Sequence, residues 1–256
     1  MRLHNQVAIV TGGANGIGEG ISRRFAAEGA HVVIVDTAAD AGQDLAAELA
    51  GAGGSSVFVE ADVSDEPAVD RAVEQALRFT GKIDCLVNNA GILRFTPWPN
   101  LSRADWDRIV DVNLTGTMLF SRSVIPHMMA RSGGSIINMS SIHATLTGAA
   151  VAAYAATKGA VITFTRSMAI ELGPAGIRVN AILPGYIDTP LFRSDAERVT
   201  DGRPQEFIES LEKRIPLRRV GTPADIAGAA LFLASSDAAY VNGCSLAVDA
   251  GTAVQL

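Results

Sequence analysis

A tyrosine and a lysine, Tyr154 and Lys158, stand four positions apart in a segment whose apolar pattern predicts a helix. Residues at this spacing share one face of a helix, so the two side chains are neighbours. A tyrosine hydroxyl ordinarily keeps its proton until a pH of about 10, but a nearby ammonium favours the phenolate and lowers the pKa. The pair therefore predicts an acid/base site; the alternative is an ordinary surface pair or a detail of helix packing.

Two short polar stretches accompany this pair. Ser140 and Ser141 directly follow an apolar run, and Ser141 precedes Tyr154 by 13 residues, while the stretch 88–91 follows another apolar run. Doubly wound sheets bind ligands outside the carboxyl ends of their strands. If both runs are strands of such a sheet, these polar groups meet Tyr154 at one edge. The alternative is that the serines are ordinary turn residues.

A glycine-rich turn over 11–18 joins the first apolar run to a predicted helix. Its glycines allow a close backbone approach to a pyrophosphate, and the helix N-terminus supplies free N–H groups. Asp36 ends the next apolar run, 24 positions after Gly12. A carboxylate there accepts hydrogen bonds from adenosine ribose hydroxyls and repels a 2′-phosphate, which predicts NAD in preference to NADP. The alternative for Asp36 is a solvated turn residue.

Seven short runs rich in β-branched residues alternate with longer amphipathic segments. Because the runs are continuously apolar, they predict strands buried on both faces of a parallel sheet. The predicted strands span 7–10, 31–36, 56–60, 83–87, 135–139, 178–182 and 245–248. Helices are predicted over 17–28, 39–50, 66–79, 104–131, 153–172 and 223–234.

This alternation predicts an α/β fold, a single doubly wound, mostly parallel seven-stranded sheet with helices on both faces, as in Rossmann-like proteins. No shift in composition marks a linker, so one domain is expected over 1–256. The charged segment 189–216 lacks a strand pattern. It is expected to form a partly helical lid over the site; the alternative is a mobile surface loop.

Composition argues against several other classes of protein. The net charge is −6 without a run of Lys or Arg, so neither nucleic acid nor a membrane surface is expected as a partner. No apolar run approaches the roughly 18 residues of a membrane span, and residues 1–6 lack a signal-peptide pattern. Cys85 and Cys244 make no disulfide framework, so a reducing, cytoplasmic location is expected. The four histidines show no paired spacing, so no metal site is expected.

Taken together, these motifs resemble those of the short-chain dehydrogenase/reductase family, over the chain from Val7 to about Gly251. The matching motifs are Thr11-Gly-x-x-x-Gly-x-Gly18, Asn88-Asn89-Ala90-Gly91, Ser141, Tyr154-x-x-x-Lys158 and Pro184-Gly185. The resemblance implies an NAD-dependent oxidoreductase that transfers a hydride between nicotinamide and the carbinol or carbonyl carbon of a small alcohol or ketone.

The resemblance also implies a role for each matching residue. Tyr154 would be the general acid/base, Lys158 would lower its pKa and bind the nicotinamide ribose, and Ser141 would orient the substrate oxygen. Asn113 would help to hold a proton-relay water; the alternative is that it caps or kinks its helix. The expected cofactor-binding residues are Gly12, Asn15, Gly16, Ile17, Gly18, Asp36, Asp62, Val63, Asn89, Ala90, Gly91, Tyr154, Lys158, Pro184, Gly185, Ile187 and Thr189. The alternative for Asp62 is that it is a helix N-cap.

Three residues at the same sheet edge are candidate substrate contacts. Arg94 follows the fourth strand, His143 comes two residues after Ser141, and Tyr186 follows Pro184-Gly185. Leu93 and Phe95, on either side of Arg94, are expected to line the same site. Arginine pairs with carboxylates and histidine hydrogen-bonds hydroxyls, which favours a sugar, polyol or hydroxy acid. The alternative is that Arg94 points to solvent and His143 is a packing residue.

Other functions and assemblies stay open. A regulatory protein could bind NAD on the same fold without catalysis, although Ser141, Tyr154 and Lys158 argue against it. An NAD-dependent epimerase or dehydratase also uses Tyr-x-x-x-Lys, although such chains are usually longer. Helices 104–131 and 153–172 carry apolar or small residues on more than one face, which predicts a homotetramer, with a dimer as the alternative.

Overall fold

Seven strands form one sheet in the order β3-β2-β1-β4-β5-β6-β7 in the computed structural model, which describes residues 1–200 and 202–254. Every pairing between neighbouring strands is parallel. The doubly wound α/β fold predicted from the sequence is therefore confirmed. The strands are β1 (Val7–Thr11), β2 (His31–Asp36), β3 (Ser55–Glu60), β4 (Cys85–Asn88), β5 (Gly134–Met139), β6 (Ile177–Pro184) and β7 (Ser245–Val248).

Helices connect the strands at the predicted places. One long helix was expected over 104–131, but the chain forms α4, a π-helical turn at Asp111–Thr115, and α5. The helices are α1 (Gly16–Ala27), α2 (Ala39–Gly51), α3 (Glu66–Thr80), α4 (Arg103–Val110), α5 (Gly116–Met129), α6 (Ala152–Leu172), α7 (Pro190–Val199), α8 (Pro204–Arg214) and α9 (Pro223–Ala234).

Local sequence signals account for several of these boundaries. Gly81 ends α3 with a φ of 73°, a left-handed conformation that glycine adopts without steric cost. A reciprocal capping box between Thr222 and Asp225, with proline at the first helical position, starts α9. No helix within the two described ranges is long and apolar enough to span a bilayer.

The sheet is buried on both faces, as its continuous apolar runs require. Along β1, Ala8 and Val10 belong to the core beneath α1 and α9, whereas Val7 and Ile9 belong to the core beneath α3, α5 and α6. This alternation follows from the two-residue period of a strand. The polar residues that end β1 and β4, and the serines that follow β5, are thereby brought together at the carboxyl edge of the sheet.

The segment between β6 and α9 forms α7 and α8, which pack on each other. The ring centroids of Phe192 and Phe207 lie 6.4 Å apart, and Leu211, Ile215 and Val220 form a small apolar cluster behind them. The expected helical content of 189–216 is present, with residue 201 outside the described residues.

Candidate active site

A cleft of about 450 Å³ opens at the carboxyl edge of the sheet. A cleft of this size suits a small-molecule ligand. It extends from Asp36 and Asp62 at one end to Leu191 of α7 and Phe207 of α8 at the other. The residues expected at the site that line it are Gly12, Asn15, Gly16, Ile17, Asp36, Asp62, Val63, Asn89, Ala90, Gly91, Ser141, His143, Tyr154, Lys158, Pro184, Gly185, Tyr186, Ile187 and Thr189.

The glycine turn is packed too closely to admit side chains. Gly12 has a φ of 59°, and a Cβ there would lie 2.9 Å from Cα of Ala90. A Cβ on Gly18 would lie 1.9 Å from the carbonyl oxygen of Gly12, so Gly18 lets helix α1 approach β1 and does not itself line the cleft. Without a Cβ at these positions, backbone N–H groups can reach a bound pyrophosphate, so the turn fits a dinucleotide.

A hydrogen-bond clamp between β1 and β4 supports this turn and was not anticipated from the sequence. The Thr11 hydroxyl oxygen accepts hydrogen bonds from the backbone N–H groups of Asn89 (3.0 Å) and Ala90 (3.1 Å). The amide of Asn89 donates in return to the carbonyl oxygens of Thr11 and Gly12, both at 3.0 Å. The clamp holds the two strand ends at a fixed separation under the ligand position.

Asp36 ends β2 with its carboxylate held by backbone donors. Its oxygens accept hydrogen bonds from the N–H groups of Ala14 (3.0 Å) and Ala38 (3.1 Å). This arrangement fixes a negative charge beside the glycine turn, at the end of the cleft expected to receive the adenosine ribose.

Asp62 makes contacts that the sequence did not reveal. It accepts hydrogen bonds from the N–H and hydroxyl of Ser64 and forms an ion pair of 2.9 Å with Arg108, which also lines the cleft. Burial opposes ionisation, but these hydrogen bonds together hold the pKa of Asp62 below its usual value. The N-cap of α3 is Asp65, so Asp62 does not have the capping role considered for it.

Tyr154, Ser141 and Lys158 meet at the middle of the cleft. The Ser141 and Tyr154 side chains line the same cleft, and their interaction lowers the pKa of the tyrosine. The Lys158 amine donates to the carbonyl oxygen of Met139 (2.7 Å) and lies 5.6 Å from the Tyr154 ring centroid. The hydroxyl of Ser140 donates to the carbonyl oxygen of Lys158 (2.8 Å), which fixes α6 against the end of β5.

Burial dominates the ionisation of both catalytic candidates. It raises the pKa of Tyr154 above its usual value, while the Ser141 hydrogen bond lowers it and the charge of Asp195 raises it further. Burial also lowers the pKa of Lys158 from 10.5 to about 8. In the protein chain, burial of the phenolate outweighs the effect of Ser141 on the pKa of Tyr154, and the lowering of that pKa by Lys158 stays a prediction.

Asn113 lies in the π-helical turn and is buried. Its amide oxygen accepts from the N–H of Ile92 (2.8 Å), and its amide nitrogen donates to the carbonyl oxygen of Ile92 (3.0 Å) and to the Thr157 hydroxyl (3.3 Å). A single π turn inside a helix often accompanies a functional site. Here the π-helical turn carries Asn113, whose hydrogen bonds connect the loop after β4 to helix α6.

The substrate end of the cleft differs from expectation at Arg94. Its guanidinium pairs with Asp105 at 2.7 Å on the surface, and Arg94 does not line the cleft. His143 and Tyr186 do line it, and the His143 ring lies edge-on to Tyr154 with centroids 6.0 Å apart. Burial lowers the pKa of His143, which keeps the ring neutral near pH 7.

Most of the remaining lining at this end is apolar, and apart from Leu93 and Phe95 its residues were not singled out in the sequence. The additional residues there, of which Asp195 alone is charged, are Ile92, Leu93, Phe95, Leu191, Phe192, Asp195, Ala196 and Phe207. Their helices α7 and α8 carry no catalytic motif. Only their amphipathic spacing, with apolar residues every three or four positions, could have indicated that one face is covered.

Known proteins with the same architecture include several oxidoreductases. The chain is 40% identical to oxidoreductase UcpA of Escherichia coli O157:H7 over 98% of this chain and 95% of that protein. It is 38% identical to meso-2,3-butanediol dehydrogenase of Serratia marcescens over 98% and 96% of the two chains.

The solved structures that superimpose on this chain include a reductase and a dehydrogenase. Levodione reductase superimposes with a TM-score of 0.96 and 32% identity, over 100% of both chains. A gluconate 5-dehydrogenase from Burkholderia cenocepacia J2315, in complex with NADP and tartrate, superimposes with a TM-score of 0.92 and 36% identity, over 100% of this chain and 98% of that chain. A family model described as enoyl-(acyl carrier protein) reductase matches residues 12–253. The chain therefore belongs to the short-chain dehydrogenase/reductase family of oxidoreductases.

Proposed function

We propose that this protein is an NAD-dependent oxidoreductase that transfers a hydride between nicotinamide and the carbinol or carbonyl carbon of a small alcohol or ketone. The observation that carries the proposal is the meeting of Ser141, Tyr154 and Lys158 in one cleft with the glycine turn. An acid/base group and a dinucleotide cradle in the same cleft are what such a transfer requires.

The cofactor would lie along the carboxyl edge of the sheet. Gly12, Gly16 and the N-terminus of α1 would receive the pyrophosphate, and Asp36 the adenosine ribose. Asn89, Lys158 and Thr189 lie farther along the same cleft and would hold the nicotinamide half. When bound, the nicotinamide supplies the hydride acceptor for oxidation or the hydride donor for reduction.

The proton is handled by the chain itself. Tyr154 takes the hydroxyl proton of an alcohol, or gives a proton to a ketone oxygen, and Ser141 holds that oxygen by a hydrogen bond. Lys158 supplies positive charge beside the tyrosine ring at 5.6 Å. A bound cationic nicotinamide would add to this charge, and both favour the phenolate against the cost of burial.

Asp36 supports NAD over NADP. Its carboxylate is fixed by two backbone N–H groups, from Ala14 and Ala38, and cannot turn away from an added phosphate without losing them. Neither Thr37 nor Ala38 offers a positive charge to a 2′-phosphate. Because some structural relatives contain NADP, the choice of cofactor is a proposal about this chain's own residues.

The substrate would be small and polar, with an apolar portion. The ring of His143, the hydroxyl of Ser141 and the carboxylate of Asp195 are polar groups in an otherwise apolar end of the cleft. A diol fits this lining, and one relative is a butanediol dehydrogenase. The hydroxy acids considered from the sequence lose their support, because Arg94 pairs with Asp105 outside the cleft.

Cofactor titration combined with an alcohol screen tests this function. We expect NAD to bind, and NADH to form with at least one small diol, sugar or secondary alcohol. Binding of NAD with no turnover across the screen would favour the regulatory protein on the same fold. Tighter binding of NADP than NAD would contradict the argument from Asp36.

We also propose that the protein is a homotetramer and that it works in the cytoplasm. Large apolar side chains remain exposed on the isolated chain, among them Ile170 on α6, Leu217 and Val254. Exposed apolar groups of this kind commonly mark subunit contacts. A monomeric mass by light scattering at micromolar concentration would contradict the assembly.

A further inference from the structure

Asp195 of α7 is a buried carboxylate in the cleft that the proposed chemistry leaves without a role. Its side chain is 8% exposed and it lines the substrate end of the cleft. Its neighbours in that lining are largely apolar, and include Leu191, Phe192 and Ala196 from the same helix. A carboxylate is rarely placed in such surroundings unless something pairs with it.

One oxygen of this carboxylate is already paired. Arg198, one turn along α7, donates from Nη2 to Oδ1 of Asp195 at 2.6 Å. The arginine side chain is 52% exposed, so the cation reaches the carboxylate from the solvent side. Within residues 1–200 and 202–254, Oδ2 accepts no hydrogen bond, which leaves it available to a group in the cleft.

The same carboxylate acts at the reacting end of the cleft. Both side chains line one cleft, and the charge of Asp195 raises the pKa of Tyr154. Burial raises the pKa of Asp195 while Arg198 lowers it, and a donor from a ligand would favour the charged form in the same way as Arg198.

We propose that Asp195 accepts a hydrogen bond from a second hydroxyl of the substrate, so that the enzyme prefers diols and hydroxy ketones to simple alcohols and rejects carboxylates. The inference rests on the proposed function and adds the substrate class. The oxidised carbinol gives its proton to Tyr154 and its hydride to the nicotinamide, and the second hydroxyl is chemically unchanged.

The charges of Asp195 and Arg198 determine which kind of substrate group can donate a hydrogen bond to Asp195. The Asp195–Arg198 pair is net neutral, so it offers no uncompensated charge to an ammonium group and favours a neutral hydroxyl. A substrate carboxylate is ionised near pH 7 and has no hydrogen to donate to the free oxygen of Asp195, so it cannot form this hydrogen bond. His143, neutral and lining the same end, adds a second polar contact without adding charge.

Four compounds of similar size test the inference: 2,3-butanediol, 2-butanol, 3-amino-2-butanol and 3-hydroxybutyrate. Because a hydrogen bond to a charged group discriminates by about 10- to 100-fold, we expect kcat/KM for the diol to exceed that for 2-butanol by this factor. The hydroxy acid should be the poorest substrate. Equal values for the diol and 2-butanol, or a preference for the amino alcohol, would overturn the inference.

Variants at two acidic positions of α7 locate the effect. D195N should reduce the ratio of diol to 2-butanol by about 10-fold, since the charge-assisted hydrogen bond is lost, and should raise the relative rate with 3-hydroxybutyrate. E197Q removes an exposed carboxylate from the same helix and should keep the wild-type ratios. An unchanged ratio in D195N would refute the role of Asp195. Failure of the wild type to oxidise any alcohol with either cofactor would instead refute the proposed function.

Discussion

Lys158 should make the protein less stable at neutral pH, and its replacement by methionine should reveal the cost. The amine is buried, and its pKa falls from 10.5 to about 8. At about 1.4 kcal/mol for each pH unit, this change corresponds to roughly 3 kcal/mol of unfolding free energy. Lys158→Met removes this cost and keeps a similar apolar volume, but it also removes the hydrogen bond to the carbonyl oxygen of Met139.

The pH dependence separates these two effects. Below about pH 8 the lysine is charged in both states, and the folded protein bears the whole cost of burying the charge. Between about pH 8 and 10.5 the folded lysine is neutral while the unfolded chain still holds the proton, so the stability of the wild type rises relative to the variant. The neutral amine can still donate to the carbonyl oxygen of Met139, so the hydrogen bond is lost in the variant at every pH, and the change with pH reports the shifted pKa.

Urea unfolding at several pH values measures this directly, at one fixed protein concentration because assembly contributes to stability. We expect the stability difference between K158M and the wild type to shift by about 3 kcal/mol toward the wild type from about pH 7 to 10.5. Lys213→Met, at an exposed lysine, should show no such shift. A K158M difference that stays constant with pH would refute the claim that this lysine is buried at a cost.

Three further predictions concern the site. Ser141→Ala should move the acid limb of the pH–rate profile for alcohol oxidation to higher pH, because the Ser141 hydrogen bond lowers the pKa of Tyr154. Asp195→Asn should move this limb to lower pH, because the charge of Asp195 raises that pKa. Shifts of both variants in the same direction would contradict these assignments. Asp36→Ala combined with Thr37→Arg should change the preference from NAD toward NADP in initial-rate assays, and a wild type that already prefers NADP would refute the argument. Arg94→Ala should leave KM for the substrate unchanged, because the ion pair of Arg94 with Asp105 is on the surface. His143→Ala should raise this KM, because His143 lines the cleft. A raised KM in Arg94→Ala with an unchanged KM in His143→Ala would return Arg94 to the substrate site.

Much of the fold was accessible from the sequence because its signals are local and repeated. Each buried strand is a continuous apolar run, and the alternation of such runs with amphipathic segments admits few topologies. The π-helical turn at Asp111–Thr115 was missed because its backbone departs from an α-helix by one residue, without an interruption in the apolar pattern.

The site was predictable where residue type and sheet edge decide the position, and unpredictable where packing decides it. The glycine turn and Tyr154 follow from motifs that sit at strand ends and on one helix face. The partner of Arg94 depends on where α4 places Asp105, which no local pattern gives. Asp195 was not identified from the sequence, because a charged residue on an amphipathic helix is usually solvated. Only the packing of α7 over the cleft buries its side chain.

Tyr154 should move the proton while other residues hold the cofactor. Tyr154→Phe keeps the ring and removes the hydroxyl, and it can be compared with Tyr240→Phe, at a fully exposed tyrosine. With NAD and the best alcohol of the screen, kcat measured by NADH formation should fall at least about 100-fold in Y154F, while Kd for NADH stays near the wild-type value and Y240F remains fully active. Near-normal turnover in Y154F would contradict the account.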